Sequence, residues 1–264
     1  MAAPALLLVA EGGADPRVER VAHEIRLGLS QARPEIRCDV AFLGQGKPAV
    51  STAVTRLTSQ SVSEIVMVSL DLANAVDIDP TIVAAGDAAR AAHPGVAVSV
   101  ARPVGPEASL LGVLDARLRS ALSAARVLEL DGLVLCAAST GDVRGASLLA
   151  RRTRQWSTHH RLPCLVAVAD GSGPTVAQAV QGLRSQGRRH IAVGSLFWGH
   201  DEKYAAQAEL AERVGVVAVS EPLGSPRELI ELILARYAFA AMDLLDVDAH
   251  TANPLIATDA QLTA

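Results

Sequence analysis

Ile65-Val66-Met67-Val68-Ser69-Leu70 and Ile191-Ala192-Val193-Gly194-Ser195-Leu196 stand 126 residues apart, and their agreement decides how the chain is read. Outward at the same offset, Pro48-Ala49-Val50 falls on Pro174-Thr175-Val176, Val54 and Leu57 on Val180 and Leu183, and Ser59-Gln60 on Ser185-Gln186. Near the start of each half the offset is 127, so that Ala10 falls on Ala137, Asp15 on Asp142 and Arg17 on Arg144. Later, Pro103-Val104-Gly105 pairs with Pro222-Leu223-Gly224 after a further shift. Matches at a near-constant offset are the mark of an internal repeat. The chain reads as two homologous halves, 1–125 and 126–240, followed by a tail, 241–264.

Each half alternates short apolar runs with helical patterns. The first offers strands at Leu6–Ala10, Arg37–Leu43, Glu64–Leu70 and Val96–Ala101. Helices are expected over Val18–Ala32, Ala49–Thr58 and Pro80–Ala92, with another after Glu107. The second half offers strands at Gly132–Ala137, Cys164–Ala169, His190–Leu196 and Val216–Val219. Strands without polar alternation, set between helices, predict an α/β fold with parallel sheets covered on both faces. Right-handed crossovers then collect the functional loops at the carboxyl ends of the strands. The tail contains an apolar-acidic run, Ala241 to Asp248, and reads as a frayed terminus. A longer last helix and a partner contact are its other readings.

Composition narrows the function classes. Half of the 264 residues are apolar and a fifth are charged, with only three Phe, two Tyr and two Trp, so the core must be aliphatic. A net charge of -4 argues against nucleic acid or an anionic membrane as partner. Cys38, Cys136 and Cys164 lie too far apart for a zinc knuckle or disulfide framework and read as reduced thiols of a cytoplasmic protein. The apolar run Ala5 to Ala10 is too short to span a membrane and has no basic lead-in, so it reads as a buried first strand.

Several separated segments, in order, resemble the sirohydrochlorin chelatase family in its long two-half form. The loop Ala10-Glu11-Gly12-Gly13-Ala14-Asp15-Pro16-Arg17 matches the family's Ala-His-Gly-Ser-Arg-Asp-Pro-Arg without a gap. Ala41-Phe42-Leu43 with Lys47-Pro48 is similar to its "FLE…P" stretch, and Ala101 to Pro106 and Glu221 to Gly224 to its "PLGP" turns. The resemblance implies two lobes related by a pseudo-twofold around a tetrapyrrole cleft. It implies insertion of Fe²⁺ or Co²⁺ as substrate metal, with no organic cofactor, by a monomer or homodimer. The chain departs from the family where that chemistry is done: Glu11 replaces the first His, Gly44 the acid, and Asn74 or Ala75 the later His.

Projecting those three positions by the repeat gives Ala138, Asp170 and His200. The second half thus holds a carboxylate and an imidazole where the first half lost them. The expectation is a relocated site, with His200, Asp170 and Glu11 as metal ligands and His200 and Glu11 as catalytic groups. Insertion removes two pyrrole N–H protons, and imidazole and carboxylate both bind divalent metals and accept protons. Macrocycle carboxylates call for cations and backbone N–H groups, with Gly12, Gly13, Arg17, Ser139, Thr140, Arg144 and Lys203 as candidates and Trp198 as an aromatic face.

Plainer readings accompany each of these. His200 suits a loop or helix cap, Glu11 a helix-start charge and Asp170 a turn. Arg17 and Arg144 suit salt links to Asp15 and Asp142. Asp71, Asp77 and Asp79 read as a solvated acidic loop. His159-His160 reads as an exposed helix end with a weak metal signal. The competing functional reading is a homologue that binds a tetrapyrrole or metal without insertion. A nucleotide site is disfavoured, since Gly12-Gly13 lacks the dinucleotide spacing and no Walker Lys follows.

Overall fold

The computed structural model describes residues 3–252. Four parallel strands, β1 (Ala5–Glu11), β2 (Cys38–Leu43), β3 (Glu64–Ser69) and β4 (Ala97–Val100), form one sheet in the order β2-β1-β3-β4. The second sheet repeats it with β5 (Gly132–Ala137), β6 (Cys164–Val168), β7 (Ile191–Leu196) and β8 (Ala218–Val219) in the order β6-β5-β7-β8. The helices are α1 (Pro16–Ala32), α2 (Val50–Ser59), α3 (Pro80–Ala92), α4 (Leu110–Ala124), α5 (Val143–His160), α6 (Val176–Ser185), α7 (Glu202–Arg213) and α8 (Arg227–Ala252).

Side chains alternate between the two faces of a strand, and both faces are covered here. In β1, Leu6, Leu8 and Ala10 join a core cluster that runs through both lobes, while Ala5, Leu7 and Val9 join one confined to the first lobe. In β5, Leu133 and Leu135 enter the shared cluster, and Val134 and Cys136 a cluster confined to the second lobe. Each fully buried aliphatic side chain of this kind contributes about 1.5–3 kcal/mol. Burial pushes the Cys136 and Cys164 thiols up to about 12, so both are protonated packing groups at neutral pH.

The two halves, 1–125 and 126–240, exchange their last helices. Helix α4 packs on β7 and β8 of the other sheet, and α8 packs on α1, β3 and β4. Each swapped helix grips the opposite crossover with an arginine. Arg117 donates through Nε and Nη2 to the Leu223 carbonyl at 3.2 and 2.8 Å. Arg236, 119 residues later, donates to the Pro103 and Val104 carbonyls at 2.8 and 2.9 Å. Those carbonyls belong to the matched Pro-Val-Gly and Pro-Leu-Gly turns, whose Gly105 and Gly224 both have positive φ, +79° and +75°. The expected frayed tail is corrected over its first part: α8 runs to Ala252, with Ala240 and Leu244 buried. Residues 253–264 lie outside the described residues.

Candidate active site between the lobes

The carboxyl ends of both sheets face one cleft of about 620 Å³. That lies within the range of small-molecule sites, about 300–1,000 Å³. The first lobe brings Glu11 and Gly12 from the end of β1, Gly44 from the end of β2, and Asp71 and Asp79 from the β3–α3 loop. The second lobe brings Ser139, Asp170, Trp198, Asp201 and Lys203. Five carboxylates against one ammonium make the lining acidic.

Asp170, two residues beyond the end of β6, accepts from Ser172 N–H at 2.9 Å and Ser172 Oγ at 2.5 Å. Burial works against its charge, but the Ser139 and Ser172 hydroxyls, the Ser172 N–H and the charge of Lys203 outweigh it and hold its pKa low. Asp201 behaves oppositely. Burial pushes its carboxyl up, and the Tyr204 N–H at 2.7 Å offsets this only in part. Lys203 Nζ lies 3.5 Å from Glu11 Oε2, an ion pair that spans the cleft between lobes. Trp198 is buried and forms part of the wall.

His200 is not among the lining residues. Its Nε2 lies 2.5 Å from Glu221 Oε2, and its ring meets Tyr204 edge-on at 5.3 Å. The constant offset breaks at Leu196, because five residues (197–201) separate it from α7 whereas nine (71–79) separate its counterpart Leu70 from α3. Helices α3 and α7 start with capping aspartates, Asp79 and Asp201, and these are the true counterparts across the pseudo-twofold. Capping geometry in both halves was the signal for Asp79 and Asp201. Asp71 instead turns its own loop, accepting from Ala73 N–H at 2.7 Å and Asn74 Nδ2 at 2.7 Å. The acidic loop read as solvated therefore supplies two lining groups.

Arg17 is likewise outside the cleft lining. It pairs with Asp15 at 2.7 Å, and these hydrogen bonds hold the Asp15 carboxyl at about 2. Arg144 lines a separate external groove along α5 with Arg151 and Arg154. Thr140 donates to Ser172 Oγ at 3.0 Å and Gly13 packs near Val18, neither among the lining residues. The Gly12 N–H already donates to Leu43 O at 2.9 Å, so it is not free for an anion.

The lobe junction turns on Asp142. Its Oδ1 caps α5 through Gly145 N–H at 2.5 Å, and its Oδ2 accepts from Ala75, Val76 and Asp77 of the other lobe at 3.0, 2.7 and 2.8 Å. Burial opposes the charge, but these four donors prevail and hold the carboxyl well below the usual range. A depressed folded pKa contributes stability above the ordinary carboxylate pKa, lost as pH falls through the folded value. Asp142→Ala is expected to cost about 2 kcal/mol at pH 7. The gap to wild type should narrow as pH falls below about 4. Urea unfolding at a series of pH values measures this, and a pH-independent gap contradicts it.

A family model described as CbiX matches residues 5–121. The structural likeness extends over nearly the whole chain. The sirohydrochlorin chelatase SirB from Bacillus subtilis subspecies spizizenii, solved with cobalt, superposes with a TM-score of 0.70 at 12% identity, covering 92% of this chain and 97% of its own. SirB from Bacillus subtilis with Fe³⁺ gives 0.68 at 15% identity, covering 92% and 98%. CbiX, the terminal enzyme of siroheme biosynthesis in denitrifying bacteria, gives 0.59 at 16%, covering 89% and 99%. At such identities the structural likeness establishes the fold. No curated protein matches the chain. Among the described residues, no helix is long and apolar enough to cross a membrane.

Proposed function

We propose that the interlobe cleft is a chelatase-type site that takes Fe²⁺ or Co²⁺ as substrate and inserts it into a carboxylate-rich tetrapyrrole, sirohydrochlorin being the first candidate. The observation that supports this most is the pairing of Glu11 and Asp170, one from each lobe, in the lining of a single acidic cleft. Hard oxygen donors on both walls suit a divalent ion between them. Insertion exchanges one M²⁺ for two pyrrole protons, and the carboxylates around the ion receive those protons and pass them to water. Asp201, whose carboxyl burial pushes above its ordinary value, is the lining carboxylate most ready to accept a proton. Trp198 offers an apolar wall for the macrocycle.

A second reading is binding without insertion. It is favoured by the described lining, which includes no imidazole and only one cation, Lys203. Anaerobic mixing with sirohydrochlorin and Co²⁺, followed by absorbance, separates the two. Insertion is expected in wild type and His200→Ala, with a loss of about 100-fold or more in Glu11→Gln/Asp170→Asn. A macrocycle shift on binding without turnover supports the second reading. Wild-type turnover in the double variant removes the proposed site.

A further inference from the structure

Helices α4 and α5 bring together a second set of donors at the other end of the second lobe. His159 and His160 close the last turn of α5, and Asp115 comes from the swapped helix α4. One ligand atom from each lies within 4.8 Å of the other two. Asp115 is 7% exposed, and its Oδ1 lies 2.6 Å from His160 Nε2. Both atoms are cut off from solvent, yet neither has a well-directed hydrogen bond. A buried carboxylate oxygen without a proper donor is costly. The other oxygen, Oδ2, is paired with Arg119 at 3.1 Å, so Oδ1 is the orphan. His159 is exposed and packs its ring edge-on to His160 at 5.0 Å between centroids.

We infer that His159, His160 and Asp115 form a second transition-metal site, distinct from the cleft, that takes a borderline divalent cation such as Zn²⁺, Co²⁺ or Ni²⁺. Two imidazoles and a carboxylate are the donor set such ions prefer, with water completing the shell. At bond lengths of about 2.0–2.2 Å, tetrahedral donors stand about 3.3 Å apart. The buried pair is closer than that, so an ion needs the pair to open slightly, with the exposed His159 completing the set from within 4.8 Å. Helix α5 spans 18 residues from Val143 to His160, so the site lies about 25 Å from the start of the helix. Its role is to staple α4, contributed by the first half of the chain, to the second lobe. The inference is independent of the proposed cleft chemistry.

Titration of the full chain with Zn²⁺ alone, by calorimetry and thermal unfolding, tests this. Wild type is expected to gain about 5 °C at saturation. Glu11→Gln/Asp170→Asn should keep that gain, whereas His159→Ala should lose it and bind Zn²⁺ at this site at least tenfold more weakly. His159 is exposed, so its replacement leaves the core intact; His160→Gln provides a second, isosteric check. If both His variants bind and are stabilised as wild type is, the site is overturned. It is overturned equally if the cleft variant loses all binding. A cleft variant that binds Zn²⁺ as wild type does, with both His variants impaired, supports this site, and the cleft reading stands or falls separately on the insertion assay.

Discussion

Trp156→Ala is expected to lower stability by about 4 kcal/mol. A chain of this size has about 5–15 kcal/mol in all, so the loss is a large share. Trp156 is 1% exposed and ranks among the largest fully buried side chains. It lies on α5 with its ring over Gly194 of β7, where an added Cβ would meet the indole at 2.4 Å. Strand and ring fit because residue 194 has no side chain. Removing the ring leaves a cavity that the flat strand cannot fill. The melting temperature should fall by about 10 °C, read by calorimetry. Trp156→Phe refills most of the space and removes an indole N–H that has no partner, so it should cost about 1–2 kcal/mol. Equal losses in both variants would mean that something other than ring volume holds the site.

The repeat made the two sheets legible. Its matches fall on strands and on the turns that follow them, and those segments are pinned by burial on both faces. The helix starts were legible too, since Asp15 and Asp142 sit at matched positions and both cap helices. The swapped helices were not. Apolar spacing in α4 shows that one face is buried but not which sheet buries it. Arg117 and Arg236, 119 residues apart, carried that information as a pair, but an arginine gives no sign in sequence that its partners are carbonyls of the opposite half. The site was half legible. Glu11 and Asp170 came from strand ends, where register is fixed, and both line the cleft. His200 came from a loop whose length differs between halves, and there a constant offset carries no positional meaning. Net charge of the whole chain also concealed the local balance: -4 overall gives no hint that five carboxylates share one cleft.

Gly12→Ala and Gly13→Ala should differ sharply, although the two glycines are adjacent in the same loop. A Cβ on Gly12 would lie 1.1 Å from the Gln45 carbonyl oxygen and 2.3 Å from its carbon. Both atoms are backbone, so no side-chain rotation relieves the overlap. The end of β1 and the turn after β2 must move apart, breaking the Gly12 N–H to Leu43 O bond and displacing Glu11 at the end of β1. The expected cost is about 3 kcal/mol or more. Displacement of Glu11 should also weaken Co²⁺ binding in the cleft by at least tenfold, because a first-lobe carboxylate leaves the second-lobe donors. On Gly13 the same Cβ meets only a Val18 methyl at 3.6 Å, an ordinary contact. Gly13→Ala should therefore be neutral or raise stability by up to about 1 kcal/mol, since it restricts the unfolded chain. Thermal unfolding and Co²⁺ titration of the pair separate backbone crowding at the cleft wall from any general intolerance of the loop. Similar losses in both variants would show that the tight approach of residues 12 and 45 is not what shapes this edge of the site.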